Sequence, residues 1–150
     1  MAVYNSDQIS AGTPIAGVGL GGGQVKEAYF STTIGVGATT TDSIVLGYLP
    51  PHCMVRSIMV KSPAFGGATT LNVGDAGVGT AIVADVDRYL AANNITTAGG
   101  VISTMATTGV FFKNTTSQKI QITAAFAAGT VATAGVLEVS LTYTTEEPQQ

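Results

Sequence analysis

Tryptophan is absent, cysteine and histidine occur once each, and only 10% of the 150 residues are charged. Each scarcity excludes something. A single cysteine, Cys53, allows no intrachain disulfide, and within an apolar stretch it reads as a small core residue. With His52 as the sole histidine, a hydrolytic triad has one possible base. No serine stands on a Gly-x-Ser-x-Gly elbow to serve as its nucleophile. One His and one Cys cannot complete a zinc site without carboxylates or a second subunit, so His52 reads as an exposed loop residue. The six cations, Lys26, Arg56, Lys61, Arg88, Lys113 and Lys119, are scattered along a chain of net charge −3. They form no basic stripe to displace counterions, which argues against nucleic acid as a partner.

Long apolar runs are also missing. None approaches the ~20 residues of a membrane helix, so no membrane partner is expected. No charged start followed by an apolar stretch and a cleavage site marks a secretion signal. The expected setting is a cytoplasm, where the chain stays soluble or joins a particle. With aromatics at 7%, a surface for stacking sugar rings is poorly supplied.

What is present is patterned apolar sequence, 45% of the chain. From Leu137 to Tyr143 the alternation is unbroken: Leu137, Val139, Leu141 and Tyr143 on one face, Glu138, Ser140 and Thr142 on the other. That is a half-buried strand. Similar runs are predicted over 25–34, over 43–49 before Pro50-Pro51, and over 53–61, which reads as apolar on both faces apart from Arg56. Others are predicted over 69–73, 77–83, 101–105, 109–112 and 118–126. Gly74-Asp75 reads as a turn. Residues 85–92 read as the one helix, with Asp85 or Asp87 as its cap, Tyr89 and Leu90 inward, and Asn93-Asn94 ending it. Eight or nine short strands with frequent turn signals predict an all-β, single-domain β-sandwich of jelly-roll type with one short helix.

Three segments follow. Residues 1–23, with the run Gly17-Val18-Gly19-Leu20-Gly21-Gly22-Gly23, read as an extended N-terminal arm or as a frayed terminus without a role. Residues 24–145 form the sandwich, and 146–150 a polar tail. The apolar and aromatic residues of the arm, Tyr4, Ile9, Pro14, Ile15, Val18 and Leu20, are the candidate contacts to a partner. A surface this poor in charge is weakly solvated and favours assembly with matching surfaces.

Motifs with chemistry are few. Gly17-x-Gly19-x-x-Gly22 matches a dinucleotide fingerprint, yet no strand precedes it and no helix follows. Asp75, Asp85 and Asp87 are the one acidic group in the body. They could offer oxygens to calcium, but turn and helix-cap roles explain them more simply. A glycosidase needs two acids across a cleft, and only Asp85 and Asp87 are close in sequence. Asn94-Ile95-Thr96 and Asn114-Thr115-Thr116 fit a glycosylation pattern but read as turns. No catalytic residue, metal ligand or cofactor site is expected, and the chain reads as a structural or binding protein.

Leu49-Pro50-Pro51, the strand over 54–60, Thr70-Leu71-Asn72-Val73-Gly74, Asp85-x-Asp87-Arg88-Tyr89-Leu90 and Thr97-Ala98-Gly99-Gly100 follow one another in an order that resembles the small head decoration, or cement, proteins of tailed bacteriophages. The resemblance covers roughly residues 24–143. It implies a β-sandwich, trimeric in many cases, that clamps neighbouring major capsid subunits on the virion surface after assembly in the host cytoplasm. Two alternatives stay open: a fibre or tail module that binds host or glycan, and a small jelly-roll shell subunit.

Overall fold

The computed structural model describes residues 3–5 and 25–145, with side chains described from residue 25 onward. Nine strands lie among them: β1 (Val3–Asn5), β2 (Val25–Ile34), β3 (Ser43–Leu49), β4 (Cys53–Ser62), β5 (Thr70–Asp75), β6 (Asp85–Asn93), β7 (Gly100–Ile102), β8 (Ile120–Ala128) and β9 (Gly135–Thr145). One helical turn, α1 (Ile95–Ala98), joins β6 to β7.

The pairing is nested. β2 pairs with β9, β3 with β8, β4 with β7 and β5 with β6, each antiparallel. Two further antiparallel pairs, β4 with β9 and β5 with β8, complete the sheets. The orders are β2-β9-β4-β7 and β1-β3-β8-β5-β6. A long hairpin folded once more upon itself gives this connectivity, and it is a jelly roll. β1 adds to the second sheet by pairing parallel with β3.

The core lies between the sheets. Leu137, Val139, Leu141 and Tyr143 of β9 are all fully buried, as their alternation predicts. They meet Phe30 and Ile34 of β2, Ile58 and Val60 of β4, and Ile44, Leu71, Ile120 and Ile122 from the opposite sheet. Phe65 and Phe126 pack edge to face with centroids 6.0 Å apart. At Gly47, where β3 bulges against β8, an added Cβ would overlap the ring of Phe30. Cys53 is buried, and its thiol is pushed up to about 12 by loss of solvation.

Several expectations are corrected. Residues 85–92 are not a helix but most of strand β6. Tyr89 and Leu90 are both buried, but through irregular pairing with β5 rather than helical spacing. Asp85 and Asp87 therefore cap nothing. Asp75 ends a strand instead of starting a turn, and its buried carboxylate accepts from Arg88 Nε at 2.6 Å and from the Gly77 amide at 3.0 Å. Residues 77–83 make one isolated bridge, Val78 to Ile82, rather than a strand. Residues 109–112 are not a strand either, and follow a 3-10 turn (Thr107–Gly109). β4 is apolar on one face only, since Arg56, Ser57, Met59 and Lys61 are exposed. His52 is half-buried in a turn, with φ 52°, not an exposed loop residue.

Sheet edges are covered in ways that matter for assembly. β1 lies along β3. The chain after β7 runs along β6, donating from the Ala106 amide to Tyr89 O at 2.9 Å and from Thr108 Oγ1 to Arg88 O at 3.0 Å. Beyond β4 lie β7 at one end and residues 112–114 at the other, where the Val55 amide donates to Phe112 O and the Asn114 amide to Cys53 O. Asn114 is fully buried, and its amide donates to the carbonyls of Pro50 and Gln118.

Candidate functional site

Strand alternation sends every second residue of the β2-β9-β4-β7 sheet away from the core. On its outer face stand Val25, Tyr29, Met59, Val101 and Val136, each 45–70% exposed. The other sheet's outer face is built differently. Its side chains are Thr70, Asn72, Gln121, Thr123 and Ala125, with half-buried Val45 and Tyr48. Among the described residues its one strongly exposed large apolar side chain is Val86, on the β6 edge. Exposed apolar area gathered on one face marks an interaction surface, whereas scattered single residues do not.

Register brings six of these outward residues into one hollow of about 190 Å³: Glu27, Tyr29, Met59, Lys61, Glu138 and Ser140. Ser140 of β9 lies opposite Tyr29 of β2 on one side and Met59 of β4 on the other. Two residues along, Glu138 lies opposite Lys61. The polar groups are tied together. Tyr29 Oη donates to Glu138 Oε1, Lys61 Nζ sits 2.6 Å from Glu138 Oε2, and Ser140 Oγ donates to Glu27 Oε1. Lys61, then Tyr29, holds the Glu138 carboxyl below its ordinary range. The bond to Glu138 raises the Tyr29 phenol and the Lys61 ammonium above theirs.

A general base must be poised near the working pH, and Glu138 is shifted the other way. Ser140 Oγ donates a hydrogen bond to the Glu27 carboxylate, and no histidine lines the hollow. The hollow instead has Tyr29 and Met59 on either side of buried Ser140, with Glu27, Glu138 and Lys61 as its charged lining.

Of the candidate contacts read from the sequence, one lies among the described residues. Tyr4 belongs to β1, in register with Ile44 of β3 at the edge of the other sheet. Ile9, Pro14, Ile15, Val18 and Leu20 lie outside the described residues. Of Asp75, Asp85 and Asp87, the first two gather around Arg88, which pairs with Asp75 and lies 3.7 Å from Asp85, while the Asp87 amide donates to Asp85. Arg88 also stacks over the Phe112 ring at 4.1 Å. Among the described residues no group of three or more His, Cys, Asp or Glu side chains is placed to hold a metal ion. Sequence reasoning missed the hollow because its residues come from three strands, of which β2 and β9 are more than a hundred positions apart. One local signal was available: Val25 and Tyr29 occupy the outward positions of β2.

No protein-family model matches the chain, and no curated protein matches it. Solved structures do. A chain of the cyanophage Pam1 capsid asymmetric unit aligns at a TM-score of 0.64 and 25% identity, covering 87% of this chain and 90% of that one. A chain of the capsid of Ralstonia phage GP4 aligns at a TM-score of 0.75 and 22% identity, covering 98% of this chain and 100% of that one. The chain folds like a phage capsid protein. The resemblance read from the sequence thus holds at the level of phage capsid proteins.

Proposed function

We propose that this protein is a structural subunit of a phage virion that decorates the capsid and stabilises it by clamping neighbouring major capsid subunits. The observation that carries the reading is the alignment with a Pam1 capsid chain along most of both chains. Two features support it. Only 10% of the residues are charged, a composition suited to a surface covered by neighbours. The outer face of the β2-β9-β4-β7 sheet exposes five large apolar side chains, Val25, Tyr29, Met59, Val101 and Val136. In this reading the role is non-enzymatic, the protein works as a homotrimer on the capsid surface, and assembly takes place in the host cytoplasm. The arm residues Tyr4, Ile9, Pro14, Ile15, Val18 and Leu20 supply contacts to the partner. Many modest contacts repeated over a lattice add up through multivalency.

The test is the copy number in gradient-purified particles, by quantitative mass spectrometry. Copies comparable to the major shell protein are expected. A handful per particle would move the chain to a fibre or tail and revive host or glycan binding; absence would end the virion reading. The jelly roll itself favours a second reading, a small shell subunit, because shells are built from this fold. Expressed alone, such a subunit would close into shells visible by negative-stain microscopy, whereas a decorating trimer would not.

A further inference from the structure

The hollow on the β2-β9-β4-β7 face carries an unbalanced charge. Glu138 is matched by Lys61 at 2.6 Å. Glu27 accepts a hydrogen bond from Ser140 through Oε1, and among the described residues no cation pairs with it. Two carboxylates and one ammonium leave the hollow one negative charge in excess. Its sides are an aromatic ring and a thioether, Tyr29 and Met59, both about half exposed and flanking buried Ser140. The ring is held in place from its far end, since its hydroxyl is tied to Glu138, and Glu138 in turn to Lys61.

We infer that this hollow receives a basic side chain, arginine or lysine, from the neighbouring capsid chain on which the protein docks. The inference rests on the capsid reading above and names the partner chemistry of that face. The fit is specific. The aliphatic stem of a basic residue lies between apolar walls while its charged head meets the polar groups of the lining. A cation over the face of Tyr29 is attracted by the ring. Met59 adapts to the shape of the stem. Glu27 supplies the charge that the head lacks, and a charged pair shielded by surrounding apolar contacts is far stronger than an open surface pair. Next to the lining residues on the same face stand Val25, two positions from Glu27, Val136, two positions from Glu138, and Val101, opposite Lys61. Lys61, bound to Glu138, repels a second cation from that side and steers it toward Glu27.

The test is a competition that tolerates an essential protein. Particles are assembled in cells supplying equal amounts of wild-type and Glu27→Lys chains, and the two are counted in purified particles by mass spectrometry. Glu27 is exposed, so the variant should fold; circular dichroism and melting of the isolated chain check this. Wild type is expected to exceed Glu27→Lys by about ten-fold or more. Met59→Arg, which fills the hollow with a cation of its own, should be excluded to a similar degree, while Met59→Leu should compete evenly. Equal incorporation of Glu27→Lys and wild type would overturn the inference and leave the capsid reading standing. Wild type missing from particles would overturn both. If Glu27→Lys does not fold, the Met59→Arg and Met59→Leu pair decides alone.

Discussion

Asp75 exposes none of its side chain, and Arg88 exposes 14% of its own. Burial pushes the Asp75 carboxyl up, and the bond from Arg88 opposes that shift. Replacing Arg88 with methionine would keep most of the packing against Phe112 and leave the buried carboxylate without its cation. A loss of about 3 kcal/mol at pH 7 is expected. The sign of the pH dependence follows. With the folded pKa raised further above an unfolded value of ~3.9, stability is lost as pH rises through the folded value and regained as it falls. Urea unfolding at pH 7 and pH 4.5 should therefore show the deficit of Arg88→Met narrowing in acid. Tyr143 tests the opposite kind of group. Its hydroxyl is buried and has no hydrogen-bond partner among the described residues, so it carries a desolvation cost without return. Tyr143→Phe should raise stability by about 1 kcal/mol; a loss of that size in the same assay would show that the hydroxyl is satisfied.

At the scale of elements, β9 governs the fold because it lies between β2 and β4. Leu141 is fully buried there, and Leu141→Ala should cost about 2–5 kcal/mol. Thr142, half-buried on the outer face, should cost under about 1 kcal/mol when changed to alanine. Equal losses in urea titrations would contradict the facing of this strand. β9 was legible in the sequence because its alternation is unbroken and both of its neighbours are strands. β6 was not legible. Tyr89 and Leu90 point inward in succession because the strand is irregular where it meets β5, and adjacent inward residues imitate a helical face. Nearby aspartates that looked like caps completed the imitation. The α-helical turn among the described residues, Ile95–Ala98, holds Ile, Thr, Thr and Ala. Its β-branched residues favour a helix weakly, and a single turn leaves no periodicity to detect. The hollow stayed hidden for another reason: Tyr29, Met59 and Glu138 meet only once strand register is known.

For the whole molecule, nested pairing joins β2 near one end of the chain to β9 near the other. Tyr29 pairs with Ser140 across most of the chain. Topologies dominated by such distant pairs fold slowly. Refolding by stopped-flow should give a main phase between about one millisecond and seconds; microsecond folding would mean that local structure leads instead. The same nesting has a consequence for the chain as a path. Val25 stands opposite Thr144, so the beginning and end of the roll are about one strand spacing, ~5 Å, apart. A short link from Thr145 to Val25 would close the eight rolled strands into a ring, and a ring has no privileged origin. Cut open at the exposed turn between Gly79 and Thr80, that ring would run from β6 through β9 into β2 and on to β5. Every antiparallel pair would be kept while the order of synthesis changed.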